Sequence, residues 1–134
     1  LFRQNYGARE GKLTYREYMV LHRIMEVTIE KSRGILLGVY GKDDSPDAGA
    51  FFLYDGYRYI MLLGATDYQT RSNGAMFLLI DTVIREWAGE PRILDFEGGN
   101  DPGLGRFYKG FGAREVPYSF LRLRRFPFRR VTGL

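Results

Sequence analysis

Three clusters in this 134-residue chain have the residue types and spacing that chemistry requires. The first is Arg71-Ser72-Asn73-Gly74-Ala75, just ahead of an apolar run with helical spacing. A loop that opens a helix leaves backbone N–H groups unpaired at the positive end of the helix dipole. Phosphate or pyrophosphate suits such a place. Gly74 permits close approach of the backbone, and Arg71 adds a charged, two-pronged donor. The competing reading is an ordinary loop in which Ser72 or Asn73 caps the helix. Neither GxxxxGK[ST] nor GxGxxG occurs, so this is not a Walker loop or a dinucleotide fingerprint.

The second cluster is Phe107-Tyr108-Lys109-Gly110-Phe111-Gly112, which follows Asn100. A tyrosine on a short helix beside a glycine turn can donate its phenolic proton to a leaving group. The alternative is an aromatic core cluster with a solvent-facing lysine. The third cluster is Asp95-Phe96-Glu97-Gly98-Gly99-Asn100-Asp101. Strand alternation would point Asp95 and Glu97 the same way. A carboxylate beyond the carboxyl end of a parallel strand can take a proton from an incoming amine. The alternative is a turn whose carboxylates cap backbone N–H groups.

Composition removes other chemistries. The chain has no cysteine, which excludes disulfides, thiolate zinc sites and cysteine nucleophiles. His22 is the one histidine, so multi-histidine metal sites are excluded, and a Ser-His-Asp triad would have to use it. Within a helix, His22 reads as a half-exposed residue. Asp43, Asp44 and Asp47 sit in a run interrupted by Pro46 with no terminal glutamate, which reads as a hairpin turn rather than a calcium loop. No metal site is expected. The net charge is +4, carried by 16 Arg and 4 Lys against 16 acids. That balance favours acidic partners. Arg122, Arg124, Arg125, Arg129 and Arg130, with Phe120, Phe126 and Phe128, could meet RNA by charge and stacking, or form a solvated basic end.

The elements that must position these clusters follow from periodicity. Thr14 and Glu17 form a capping-box signature, and helical spacing continues to Ser32, with Gly34 as the stop. Runs 35–40, 50–54 and 57–63 are branched or aromatic and read as strands. Polar residues 41–49 separate the first two, and Asp55-Gly56 marks a hairpin between the last two. Residues 74–88 read as a helix with Met76, Leu79, Val83, Ile84 and Trp87 on one face. A strand at 92–96, a short helix at 104–110 and a last strand at 113–123 complete the order. The predicted class is mixed α/β: an antiparallel meander, then a βαβ unit, with helices on both faces. Residues 1–12 read as a linker or incoming arm, 13–126 as the domain, and 127–134 as a basic tail.

Taken together, Leu63-Gly64-Ala65, the loop from Arg71 to Ala75, Leu94-Asp95-Phe96-Glu97-Gly98 and the closing FYKGFG resemble the GNAT acyltransferase superfamily. They are most similar to its FemAB/FemX-like branch and the acetyltransferase domains grouped with it. The resemblance covers roughly residues 14–124. It implies that the pyrophosphate of acyl-CoA lies on Arg71, Ser72, Asn73, Gly74 and Ala75. It implies that a backbone N–H around Leu63, Gly64 and Ala65 bonds the thioester carbonyl, with Asn100 near the cofactor. Tyr108 would protonate the departing thiolate, and Glu97, Asp95 or Asp67 would serve as base. The last position of the R/Q-x-x-G-x-G/A phosphate pattern is Met76, where bulk would crowd the pyrophosphate. Tyr108 stands where FemX-like proteins often carry lysine, which favours acyl-CoA over aminoacyl-tRNA.

The expectation is a GNAT-type domain moving an acyl group from acetyl-CoA or another acyl-CoA to a small-molecule or peptide amine. The alternatives are a tRNA-dependent peptidoglycan aminoacyltransferase and a non-catalytic GNAT-shaped binding domain. A strand expected before the first helix is not legible in 1–12, so a homodimer or an N-terminal domain upstream could complete the fold. The longest apolar runs are too short to span a bilayer and no secretory signal is visible, so a cytoplasmic location is expected.

Overall fold

A computed structural model describes residue 1 and residues 13–122. Helix α1 is Tyr15–Glu30. The capping box forms as expected: the Glu17 N–H donates to Thr14 Oγ1, and the Thr14 N–H donates to the Glu17 carboxylate. Donation from the Thr14 backbone N–H, and then from the Thr14 hydroxyl, holds the Glu17 carboxyl below its usual range.

Strands β1 (Gly34–Tyr40), β2 (Pro46–Tyr54) and β3 (Arg58–Thr66) form the antiparallel meander. A 3-10 turn at Arg71–Asn73 leads into α2 (Ala75–Glu86). Strand β4 (Ile93–Asp95) then pairs parallel to β3, and α3 (Pro102–Lys109) follows. The sheet order is β1-β2-β3-β4. The parallel pairing of the 92–96 region with β3 is therefore as the βαβ reading required.

The core lies between the sheet and α2. Ala48, Ala50 and Phe52 of β2, at alternate positions, meet Leu79, Ile80 and Val83 of α2. Phe51 is buried on the opposite face, near Thr28 of α1. Two register shifts interrupt the ladders. Val39 pairs with Ala48 and Tyr40 with Pro46, so Asp47 is an extra residue in β2. Phe51 pairs with Leu63 and Phe52 with Met61, so Leu62 is an extra residue in β3.

Several boundaries differ from the sequence expectation. Gly34 does not stop α1; Ser32 takes the left-handed turn, with φ 54°. Gly34 opens β1, and the position suits glycine because a Cβ there would lie 2.6 Å from Thr28 Oγ1. Strand β2 starts at Pro46, so the loop expected to reach residue 49 is four residues shorter than 41–49 suggests. The hairpin turns at Gly56-Tyr57, and Asp55 caps it by accepting the N–H groups of Tyr57 and Arg58. No strand forms over 113–122, despite alternating apolar residues. A strand needs a neighbouring edge, and β4 is only three residues long. Val116, Tyr118, Phe120 and Leu121 stay exposed. The arm at 2–12, the basic tail at 127–134 and Arg124, Arg125, Phe126, Phe128, Arg129 and Arg130 lie outside the described residues. Among the described residues, no helix is long and apolar enough to cross a membrane.

Candidate functional site

The site is built where two parallel strands part. Strands β3 and β4 pair only at Arg58 with Ile93, Tyr59 with Leu94, and Ile60 with Asp95. Beyond Ile60, β3 continues to Thr66 while the chain leaves β4 at Asp95. No described strand lies along the outer edge of β3 there. Backbone donors and acceptors on a strand edge are a ready partner for an extended ligand. Leu63, Gly64 and Ala65 belong to this edge, and Leu62 supplies the bulge that twists β3 just before it.

The loop after β3 brings the first predicted cluster to the same end of the sheet. Asp67 Oδ1 accepts the N–H groups of Gln69 and Thr70, which turns the chain. Gly74 takes φ 81° and so must be glycine or a residue that tolerates the left-handed region. A Cβ at Gly74 would meet nothing within 4 Å, so the space over it is open. Asn73 Oδ1 accepts the Ala75 N–H at 2.9 Å, just ahead of the Gly74 N-cap of α2. The N–H groups of Met76 and Phe77, in the first turn, have no acceptor inside the helix. Arg71 is exposed, with its guanidinium 4.5 Å from the centre of the Tyr68 ring. Ser72 is exposed as well. The cradle therefore has open space, unused helix-end donors and a nearby cation, which fits a phosphate-bearing cofactor.

Met76 does not crowd this cradle as its position suggests. Its methyl lies 3.7 Å from the Cβ position of Gly64, so the side chain turns inward over β3. It is half-buried against the core.

The carboxylates are not aligned as alternation predicts. Asp95 is the last residue of β4, and Glu97 takes φ 53°, which breaks the strand period. Asp95 instead accepts the Glu97 N–H at 3.1 Å and pairs with Arg58 at 3.4 Å. Arg58 also binds Asp55 at 3.0 Å, and these acids raise its guanidinium further, the Asp55 hydrogen bond most. Glu97 and Asn100 are exposed in the loop between β4 and α3. Asp101 caps α3 by accepting the Gly103 and Leu104 N–H groups.

Tyr108 is buried, with 8% of its surface exposed. Its ring stacks on Phe96, the residue that follows β4. Phe107 packs against Phe77 of α2 at 4.7 Å, which fixes α3 beside α2. Tyr108 is thus held at the carboxyl end of β4, where the strands separate. Lys109 points elsewhere and pairs with Glu115 at 2.7 Å. His22 lies on the exposed face of α1, 3.4 Å from Glu26 and away from this site. Asp43 and Ser45 close the β1–β2 turn by a 2.7 Å bond, as a hairpin turn would.

Sequence reading missed Asp47. By sequence it is one acid in a polar turn, yet it is buried on β2 and bonds Asn73. Its signal was faint: it directly precedes the small-residue run Ala48-Gly49-Ala50.

No family model matches the sequence, and no curated protein matches it by sequence. Solved structures match it by shape. One is a possible acetyltransferase from Clostridium difficile 630, at TM-score 0.69 and 10% identity over 93% of this chain and 86% of that one. Another, described as a probable acetyltransferase, aligns at TM-score 0.65 and 13% identity over 93% and 85% of the two chains. A third, from Pyrococcus furiosus and provisionally described as an acetyl transferase, aligns at TM-score 0.64 and 15% identity over 91% and 87%. At such identities the likeness is one of fold, and the chain shares the mixed α/β fold of these structures.

Proposed function

We propose that this chain is an acyltransferase that uses acetyl-CoA or another acyl-CoA and acylates an amine. One observation carries the reading: β3 and β4 part after three residue pairs, and the edge so freed leads directly into the open helix-end cradle at Arg71 to Met76. An extended thioester-bearing chain fits along the edge at Leu63 to Ala65, with its phosphates at the α2 end. The acetyltransferase descriptions of the similarly folded structures support the same reading.

Acyl-CoA would supply the activated acyl group. The edge of β3 would orient the reacting carbonyl by donating a backbone N–H to its oxygen, the kind of preorganised donor that stabilises developing charge. Tyr108 would hold a proton at its phenol oxygen and give it to the departing thiolate. A phenol near pKa 10 stays protonated at neutral pH, while a thiol near 8.5 leaves more readily once protonated. Asp95 is engaged with Arg58, so exposed Glu97 is the better placed of the two carboxylates to receive a proton from the amine. The cofactor contacts assigned to Ser72, Asn73 and Asn100 belong to this proposal. So do Asp67 as an alternative base and a cytoplasmic setting.

The burial of Tyr108 favours a second reading, a GNAT-shaped binding domain without turnover. Calorimetric titration with acetyl-CoA, CoA and tRNA, followed by mass spectrometry of a panel of amines, decides among them. Saturable acetyl-CoA binding with acylated amine is the expected result. Binding without any transfer favours the second reading. Binding of tRNA alone, weakening with salt, favours the FemX-like aminoacyl transfer.

A further inference from the structure

Asp47 reaches the cofactor loop from β2. It is the extra residue at the β1–β2 register shift, and such bulges re-aim a side chain out of the strand's alternation. It is 8% exposed. Its carboxylate accepts a hydrogen bond from Asn73 Nδ2 at 2.8 Å. The same Asn73 side chain accepts the Ala75 N–H through Oδ1 at 2.9 Å. At the other end of the loop, the backbone carbonyl of Asp47 accepts the Asp67 N–H at 2.8 Å. Asp67 in turn caps the turn at Gln69 and Thr70. One residue thus pins both ends of the segment that joins β3 to α2.

We propose that Asp47 is a positioning residue that holds the β3–α2 loop in its phosphate-binding shape through Asn73. The inference rests on the acyl-CoA reading of that loop. Without the carboxylate, Asn73 loses the bond that orients its amide. The Ala75 N–H then loses its fixed acceptor, and the left-handed turn at Gly74 is free to relax. A hydrogen bond to a charged partner outweighs a neutral one.

The carboxylate also places a negative charge one side chain away from the helix end that would receive phosphate. Its hydrogen bond and its charge therefore act in opposite directions on an anionic ligand. Asn at this position keeps an oxygen that can accept from Asn73 and removes the charge. The two roles separate by substitution.

The test compares Asp47→Ala, Asp47→Asn and Asn73→Ala with the unaltered protein by acetyl-CoA titration and by hydrogen exchange of residues 68–76 without ligand. Asp47→Ala should weaken acetyl-CoA binding about tenfold and speed exchange across the loop. Asp47→Asn should bind at least as tightly as the unaltered protein, a rescue that a role in general stability would not produce. Asn73 is exposed, so Asn73→Ala breaks the same link without touching the core and should reproduce the Asp47→Ala exchange pattern. Unchanged loop exchange in both alanine variants overturns the inference. So does Asp47→Asn binding as poorly as Asp47→Ala. Unaltered protein that binds no acetyl-CoA fails the acyl-CoA reading instead, and the exchange rates then judge the clamp alone.

Discussion

The Tyr108 ring lies nearly flat on that of Phe96, with centroids 4.6 Å apart and planes 9° from parallel. Phe96 follows the last residue of β4, so this stack ties α3 to the point where the parallel strands separate. If the phenol serves as an acid there, Tyr108→Phe keeps the stack and removes the hydroxyl that would carry the proton. Turnover should fall roughly 10–1000-fold, with acetyl-CoA affinity nearly unchanged. A purely structural tyrosine would instead lose about 1 kcal/mol of stability and leave the turnover of folded protein intact. Melting temperature and turnover, measured together, separate the two.

Gly74→Ala should act on both stability and binding. The residue sits at φ 81° with open space around its Cβ position, so the cost is backbone strain rather than a clash. About 1–2 kcal/mol is expected for an ordinary L-residue held there. Gly74→Asn should cost less, because asparagine tolerates the left-handed region. Denaturant midpoints rank the variants, and equal stability for alanine and glycine would contradict the assigned turn.

Gly34→Ala tests the seat of α1. An added Cβ would lie 2.6 Å from Thr28 Oγ1 and 2.7 Å from Phe51 Cζ. Phe51 is fully enclosed, with 1% of its surface exposed, and has little room to retreat. Overpacking of this kind costs about 1–3 kcal/mol. Thermal unfolding should show a clear drop in melting temperature, and no drop would mean that α1 packs differently.

The β2–β3 turn should weaken in acid. Backbone N–H donation from Arg58, then from Tyr57, lowers the Asp55 carboxyl from 3.8 to about 2. A depressed carboxyl stabilises the folded state above its unfolded pKa. That contribution is whole above roughly pH 4 and is lost as pH falls through about 2. Asp55→Asn should flatten this part of the stability–pH curve. Melting curves collected from pH 5 to pH 2 would show it, and parallel curves for the two proteins would remove Asp55 from the account.

Much of the architecture was legible in local pattern. Thr14 and Glu17 announced the start of α1, because a capping box is a short-range hydrogen-bond exchange that two residues specify. The β3–α2–β4 crossover followed from a helical period set between two apolar runs, and the handedness of such units leaves little choice. The same local logic failed where a neighbour had to be present. Residues 113–122 alternate like a strand, yet they pair with no described strand of the sheet.

The site divides in the same way. Arg71 to Ala75 could be proposed from sequence as a candidate cradle because a glycine-bearing loop before a helix exposes N–H groups wherever it occurs. Glu97 was expected to share a face with Asp95, but one left-handed residue ended the period. Little that is local set Asp47 apart from Asp43 and Asp44 beyond the small-residue run that follows it. Its burial and its bond to Asn73, 26 residues away, exist only because a bulge in β2 turns it toward a loop that the fold brings alongside. Short-range hydrogen bonds and periodicity are written in neighbouring residues. Contacts between distant residues depend on sheet register, and the bulges at Asp47 and Leu62 that set it form only when the strands pair.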